Sequence, residues 1–351
     1  MPRIFTSLQD ILAHSADMLI DARTPAEFAE DHVPGAINMP SLTNEQRAEI
    51  GTIYVQDNAF KARRLGAAMV ARNVATHLEG PLREKDGGWQ PIVYCWRGGQ
   101  RSGSFTSILQ QIGWRADTIE GGYQRYRHLV SKYLYDSDLP HSFILLDGNT
   151  GTGKTALLAR LKDRGVQTID LEGLANHRGS LLGRMAGAQP SQKGFETALA
   201  TALIACDPTK PVVLEAESSK VGRVNLPPSL WSKMCDAPRV MITADLDARA
   251  AFLANAYADV TDDPEDLRAR LQPLRRIRGH TIVDEWEALL AAKALPSLAT
   301  SLMAQHYDAA YGKSRGDQAF DLLGTIHAET LDDAGLAQAT DKIAALINQV
   351  A

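Results

Sequence analysis

Residues 143–155, FILLDGNTGTGKT, decide how the fold is read. FILLD has the composition of a buried strand, and GNTGTGKT (148–155) matches the pattern G-x-x-x-x-G-K-[ST] without a gap. The run that follows, ALLARLKDRG, has helical spacing, so the strand, loop and helix that this pattern needs are all present. Gly148, Gly151 and Gly153 let the backbone wrap a diphosphate, with Asn149, Thr150 and Thr152 completing the loop. Lys154 is expected to reach the terminal phosphate oxygens, and the Thr155 hydroxyl is the expected ligand of a Mg2+ ion if one is used.

Working outward, VQTID (166–170), PVVLEA (211–216) and RVMITAD (239–245) read as further strands between helical stretches, which predicts a second parallel sheet. From about Ala248 onward the pattern is helical, rich in Ala and Leu, with little strand signal. Glu215 and Glu217, at the end of a strand, are candidates for a metal's second ligand. Asp170 and Glu172 lie where a substrate acceptor could bind, and equally where a helix needs a cap. His177 and Arg178, in ANHRGS, read either as a substrate loop or as turn residues. The polar, proline-containing stretch 136–142 is the expected linker between a first domain, 1–135, and a second, 143–351, that ends in a helical region.

The first domain alternates in the same way: MLIDA (18–22), GAINM (35–39), PIVYC (91–95) and ADTIE (116–120) are its expected strands, and 44–80 is an expected helical insertion. One strand ends in a cysteine. In VYCWRGGQRSGS (93–104), Cys95 is followed by a glycine loop and then by a helix with Phe105, Ile108, Leu109 and Ile112 on one face and Gly113 as its stop. Such a thiol is a candidate nucleophile, because amides of residues 96–102 can face an anion and the helix start favours a thiolate. Cys95, Arg97 and Arg101 are the candidate catalytic residues, and Trp96, Gly98, Gly99, Gln100 and Ser102 form the anion loop.

Composition sets the context. Lys and Arg number 37 against 42 Asp and Glu, a net charge of -5, so any nucleic-acid site must be a local patch. Two patches qualify: Lys61, Arg63, Arg64 and Arg72 in the insertion, and Arg268, Arg270, Arg275, Arg276 and Arg278 in LRARLQPLRRIRG, where Glu265 and Asp266 lie alongside. Three cysteines without paired spacing argue against a disulfide framework and a zinc cluster. No secretory start and no long apolar run are evident, so a cytoplasmic protein without a membrane partner is expected.

The cysteine loop resembles the rhodanese family of sulfurtransferases and related phosphatases. LIDARTPAEFAEDHVPGAINMP (19–40) is similar to that family's amino-terminal signature, with Asp21, Arg23, Glu27, His32, Gly35 and Asn38 in place, and EGGYQRY (120–126) to the segment after its catalytic helix. Single-domain sulfurtransferases of this kind commonly place four residues between cysteine and arginine. Here there are five, from Trp96 to Gln100, as in the phosphatase branch. A loop of this length suits a phosphatase, and equally a cysteine that accepts a chalcogen from a phosphate-bearing donor.

Joined to the phosphate loop, and with IGTIYVQDNAFKARRLGAAMVARN (50–73), LEGLANHRGSLLG (171–183) and HYDAAY (306–311), the chain closely resembles the tRNA 2-selenouridine synthase family. The resemblance implies a selenotransferase acting on the wobble 2-thiouridine of tRNA, by geranylation from geranyl diphosphate followed by selenation from selenophosphate. It implies Cys95 as selenium carrier and an enzyme that supplies selenophosphate as a partner; no tightly bound cofactor is expected, with Mg2+ taken up only if the phosphate loop uses one. The alternatives are a cysteine-dependent phosphatase, a P-loop kinase with a rhodanese-like accessory domain, and an RNA-binding scaffold.

Overall fold

Two all-parallel sheets organise the chain, and each is broken open by a glycine loop at the carboxyl end of a strand. The computed structural model describes residues 2–179, 185–256, 263–309 and 321–350. Residues 180–183 of LEGLANHRGSLLG and 310–311 of HYDAAY therefore lie outside the described residues. The chain forms two compact units: 1–138 with 190–204, and 139–189 with 205–351.

In the first unit, β1 (Met18–Asp21), β2 (Ile37–Asn38), β3 (Pro91–Tyr94) and β4 (Asp117–Thr118) lie in the order β2-β1-β3-β4. All residues of β3 are buried, as a central parallel strand requires, which is why its sequence is apolar without alternation. Around the sheet run α1 (Leu8–Leu12), α2 (Pro25–Glu30), α3 (Asn44–Gln56), α4 (Ala59–Glu79), α5 (Gln100–Ile112) and α6 (Gly122–Ser131). The expected insertion is an α3–α4 hairpin, turned at Asn58, whose side chain caps α4 by accepting from the Phe60 and Lys61 amides. Ala62, Val70 and Val74 form the buried stripe of α4.

On α5, Phe105 and Leu109 are buried and Ile108 is partly covered, whereas Ile112 is 52% exposed because the helix overruns its packing there before Gly113 (φ +111°) stops it. The four share one helical face as expected, but only its first three residues are covered.

The second unit holds β5 (Phe143–Gly148), β6 (Gln167–Ile169), β7 (Val212–Glu215), the hairpin strands β8 (Lys220–Val221) and β9 (Val224–Asn225), then β10 (Arg239–Ala244) and β11 (Leu322–Ala328). The main sheet runs β11-β10-β5-β7-β6, so the phosphate-loop strand is central and fully buried. Its helices include α7 (Lys154–Asp163), α8 (Leu171–Leu174), α10 (Pro228–Asp236) and α11 (Leu246–Ala256). Leu157, Leu158 and Leu161 of α7 are buried against the sheet.

Two features differ from expectation. The region after Ala248 contains a strand: β11 pairs in parallel with β10. It sits at the sheet edge with only Ile326 and Ala328 buried, so its sequence, LLGTIHA, lacks the long apolar run that marks a central strand. The helix α9 (Gln192–Ile204), expected within 143–351, belongs to the first unit, where the Tyr126 hydroxyl meets Thr197 Oγ1 at 3.1 Å and Arg127 pairs with Glu196. An amphipathic helix shows that it packs, while its sequence does not name the surface it packs on.

Candidate functional site: two anion cradles

Cys95 directly follows β3 and is 3% exposed. The Ser102 hydroxyl, from the first turn of α5, donates to its sulfur at 3.1 Å. Gly99 is the N-cap of α5 and offers no side-chain cap bond, so the first N–H groups of the helix are available to an anion in front of the sulfur. The loop is held from beneath by the Gly-Gly of EGGYQRY. Tyr123 N–H donates to the Cys95 carbonyl at 2.8 Å and Gln124 N–H to that of Trp96 at 2.9 Å. This approach is possible only with glycine: at Gly122 (φ +57°) a Cβ would fall 2.3 Å from the Cys95 carbonyl oxygen and 2.5 Å from the Gly98 nitrogen.

The two arginines of the loop do different things. Arg97 is exposed. Arg101 donates to both carboxylate oxygens of Glu27, at 2.7 and 3.2 Å, across a half-buried pair. Burial works against ionisation of Glu27, but the Arg101 guanidinium prevails and holds its carboxyl below the usual range. Glu27 is fixed in turn by a capping box with Thr24, behind Pro25, at the start of α2. Arg101 therefore ties the loop helix to α2. Deeper still, buried Arg23 pairs with Asp21 at 2.6 Å, donates to the Asp31 carbonyl at 2.6 Å and lies 3.8 Å from the ring centre of Tyr123, whose hydroxyl donates to Asp31. Asn38 bonds the Asp21 and Arg23 carbonyls, and His32 stacks on Phe28. The amino-terminal signature is thus the framework that supports the cysteine loop.

The second cradle closes over the end of β5. Gly151 and Gly153 take positive φ, +85° and +77°, and a Cβ on Gly148 would come within 2.7 Å of the Ile242 carbonyl. Lys154 donates to the Gly148 carbonyl at 2.8 Å, and the Thr155 hydroxyl to Glu172 at 3.0 Å. Arg249 clamps the loop: its guanidinium donates to the Thr150 carbonyl at 2.9 and 2.7 Å and pairs with Asp308 at 2.7 Å. Nothing in LDARAAF, about a hundred residues downstream, signals that contact.

The four candidate acids separate by role. Asp170 caps α8 by accepting from Gly173 N–H at 2.7 Å. Glu215 is fully buried at the end of β7, accepts from Leu171 N–H at 3.1 Å, and leaves its other oxygen without a hydrogen bond. Glu172 and Glu217 converge beside Lys154 and Thr155, to the point that a Cβ on Gly179 (φ +63°) would meet both carboxylates within 2.8 Å. Burial, then the charge of Glu217, pushes the Glu172 carboxyl up to about 8, with Lys154 and Thr155 opposing. Burial raises Glu217 as well. Thr155 and this pair form an all-oxygen donor set, the chemistry of a hard cation such as Mg2+.

His177 is part-buried, and burial and the charge of Arg270 lower its basicity; Arg178 follows it, also part-buried. Of the basic residues proposed for RNA, Lys61 pairs with Asp57 at 2.6 Å, whereas Arg63, Arg64 and Arg72 are exposed on α4. The second patch is largely neutralised: Arg268 pairs with Glu265, Arg270 with Asp266 and Arg275 with Asp284 and Glu287, while Arg278 donates to His306. Arg276 is exposed.

This pairing of cradles has relatives. The family model described as "tRNA 2-selenouridine synthase AAA domain" matches residues 141–323, and that of the rhodanese-like domain matches 5–129. The chain belongs to the tRNA 2-selenouridine synthase family. Members named tRNA 2-selenouridine synthase include those of Shewanella halifaxensis (36% identical over 68% of this chain and 65% of that one) and Hahella chejuensis (37%, 68% and 63%). The protein of that name from Nitrosomonas europaea is 33% identical over 73% of this chain and 68% of its own. The matched region thus spans just under two thirds of the first two relatives' length. Both cradles, Cys95 and Lys154 alike, fall within the regions matched to the two family models.

Proposed function

We propose that the protein converts the wobble 2-thiouridine of tRNA to 2-selenouridine, one cradle serving each of two steps. The observation that carries the reading is the coexistence, in one chain of this family, of a sulfur-centred amide loop and a lysine-centred phosphate loop. In the first step the thiocarbonyl sulfur attacks the allylic carbon of geranyl diphosphate. The C–S bond forms, the C–O bond breaks, and diphosphate leaves with the electron pair. The P-loop amides and Lys154 stabilise that leaving group. Thr155, with Glu172 or Glu217, would hold Mg2+, which would neutralise charge on the diphosphate.

In the second step selenophosphate enters the Cys95 loop with its phosphate against the α5 amides. An S–Se adduct on Cys95 would need a two-electron oxidant that selenophosphate does not supply, so the Cys95 thiolate attacks phosphorus instead: the S–P bond forms as P–Se breaks, and the electron pair departs on selenium as hydroselenide. The hydroselenide then attacks the alkylated carbon of the nucleobase, the C–Se bond forms as C–S breaks and geranyl thiolate leaves, and water hydrolyses the S–P bond to release phosphate and free Cys95. Alkylation matters because it turns a poor leaving group into one that selenium can displace. A wobble base, already in a loop, is splayed into such a site at low cost. Action on tRNA fits a cytoplasmic location, and no helix among the described residues is long and apolar enough to cross a membrane.

The test is mass spectrometry of nucleosides from 2-thiouridine tRNA incubated with the protein, geranyl diphosphate, selenophosphate and thiol. Selenouridine is the expected product. An untouched nucleoside, together with Cys95-dependent turnover of an aryl phosphate, would establish the phosphatase alternative instead.

A further inference from the structure

The corner where α3 turns into α4 leaves three large apolar side chains in solvent: Tyr54 is 58% exposed, Val55 82% and Phe60 68%. No residue of α3 is fully buried. With Ala62, Val70 and Val74 facing the core, a 100° step per residue puts Lys61 and Arg72 on the opposite side of α4 and Phe60 and Arg64, one turn apart, on its flank, while Arg63 lies near the buried stripe yet is exposed in the first turns. The charge is one-sided. In a chain of net charge -5, α4 carries Lys61, Arg63, Arg64 and Arg72 against a single acid, Glu79, in its last turn. Among the described residues Arg63 and Arg72 donate only to carbonyls of their own helix.

This composition selects the partner. A protein-docking patch also draws on Tyr, Phe and Arg, but four cations on one helix against a single acid, interleaved with exposed rings, complement phosphates with unpaired bases between them. A groove of about 690 Å3, lined by Val55, Gln56, Thr52, Arg47, Thr24 and Ala26, leads from this corner to the start of α2. There Glu27 grips Arg101 of the cysteine loop.

We propose that the α3–α4 corner is the docking platform for unpaired nucleotides of the tRNA, Tyr54 and Phe60 stacking on bases, Arg63 and Arg64 holding phosphates, and the groove leading the strand toward Cys95. The proposal rests on the reading of the protein as a tRNA-modifying enzyme. It is tested with the full chain by fluorescence anisotropy, using a labelled tRNA transcript and an RNA duplex of similar length. Tyr54→Ala with Phe60→Ala is expected to weaken tRNA binding roughly tenfold or more at an unchanged salt slope, with little effect on the duplex. The aromatic-preserving pair Tyr54→Phe and Phe60→Tyr retains binding. Arg63→Gln with Arg64→Gln lowers the salt slope by about one to two.

Wild-type affinity in the Tyr54→Ala/Phe60→Ala protein, with the parent binding tRNA, overturns the platform and leaves the tRNA reading standing. A parent that binds no tRNA overturns that reading and the platform with it. A dimer in sedimentation that the alanine pair converts to monomer assigns the surface to a second copy and also overturns the proposal.

Discussion

The two cradles share a plan and differ in what holds their cation. Each sits at the carboxyl end of a buried parallel strand, opens a helix, and depends on glycines at positive φ. At the P-loop, the Lys154 ammonium donates to a neutral carbonyl, that of Gly148. At the cysteine loop, Arg101 makes a two-pronged pair with an ionised carboxylate, that of Glu27. Lys154 also sits beside Glu172 and Glu217, whose carboxyls burial raises, whereas Arg101 is committed to one ionised carboxylate and keeps the loop in shape. The acids differ in the same sense: Glu172 and Glu217 crowd the P-loop, where a cation could join them, and the sulfur of Cys95 faces a serine hydroxyl and helix amides.

This contrast can be broken by experiment, beginning where the effect is largest. Cys95→Ala should reduce selenation by on the order of 10³ or more while alkylation continues, measured as the two nucleosides in one digest. Lys154→Ala should slow alkylation by on the order of 10²–10³, read from release of inorganic diphosphate. Gly122→Ala, whose Cβ would overlap the Cys95 carbonyl, should destabilise the first unit by about 1–3 kcal/mol in denaturant unfolding. Gly99→Ala, with nothing within 4 Å of its Cβ, should cost well under about 1 kcal/mol.

A pH dependence probes the acids of the P-loop separately. Glu172 titrates higher in the folded protein than in the unfolded chain, so its contribution is fully present below about 4.5 and is lost as pH rises through about 8. Glu172→Gln should therefore melt progressively higher than the parent as pH increases across that window, with little difference at its acid end. A constant difference at all pH values would show that the carboxyl is not raised.

How much of this was legible in the sequence follows from how local each cause is. The P-loop and cysteine loop could be read because a tight phosphate wrap demands glycine, lysine and threonine at fixed spacing. The strand β11 escaped because an edge strand buries only one face in part, and LLGTIHA carries two buried residues. The Arg249 clamp and the membership of α9 in the first unit escaped because both are set by partners distant in the chain. The roles of the acids needed coordinates: Asp170 and Glu172 are two residues apart, yet one caps a helix and the other meets Thr155.

The central claim is that alkylation and selenium transfer belong to separate cradles. The most direct measurement supplies tRNA already carrying S-geranyl-2-thiouridine, with selenophosphate and thiol, to the Lys154→Ala and Cys95→Ala proteins, and follows selenouridine by mass spectrometry. The account predicts conversion near the parent rate by Lys154→Ala and none by Cys95→Ala. Equal failure of both, or conversion by Cys95→Ala, would contradict it.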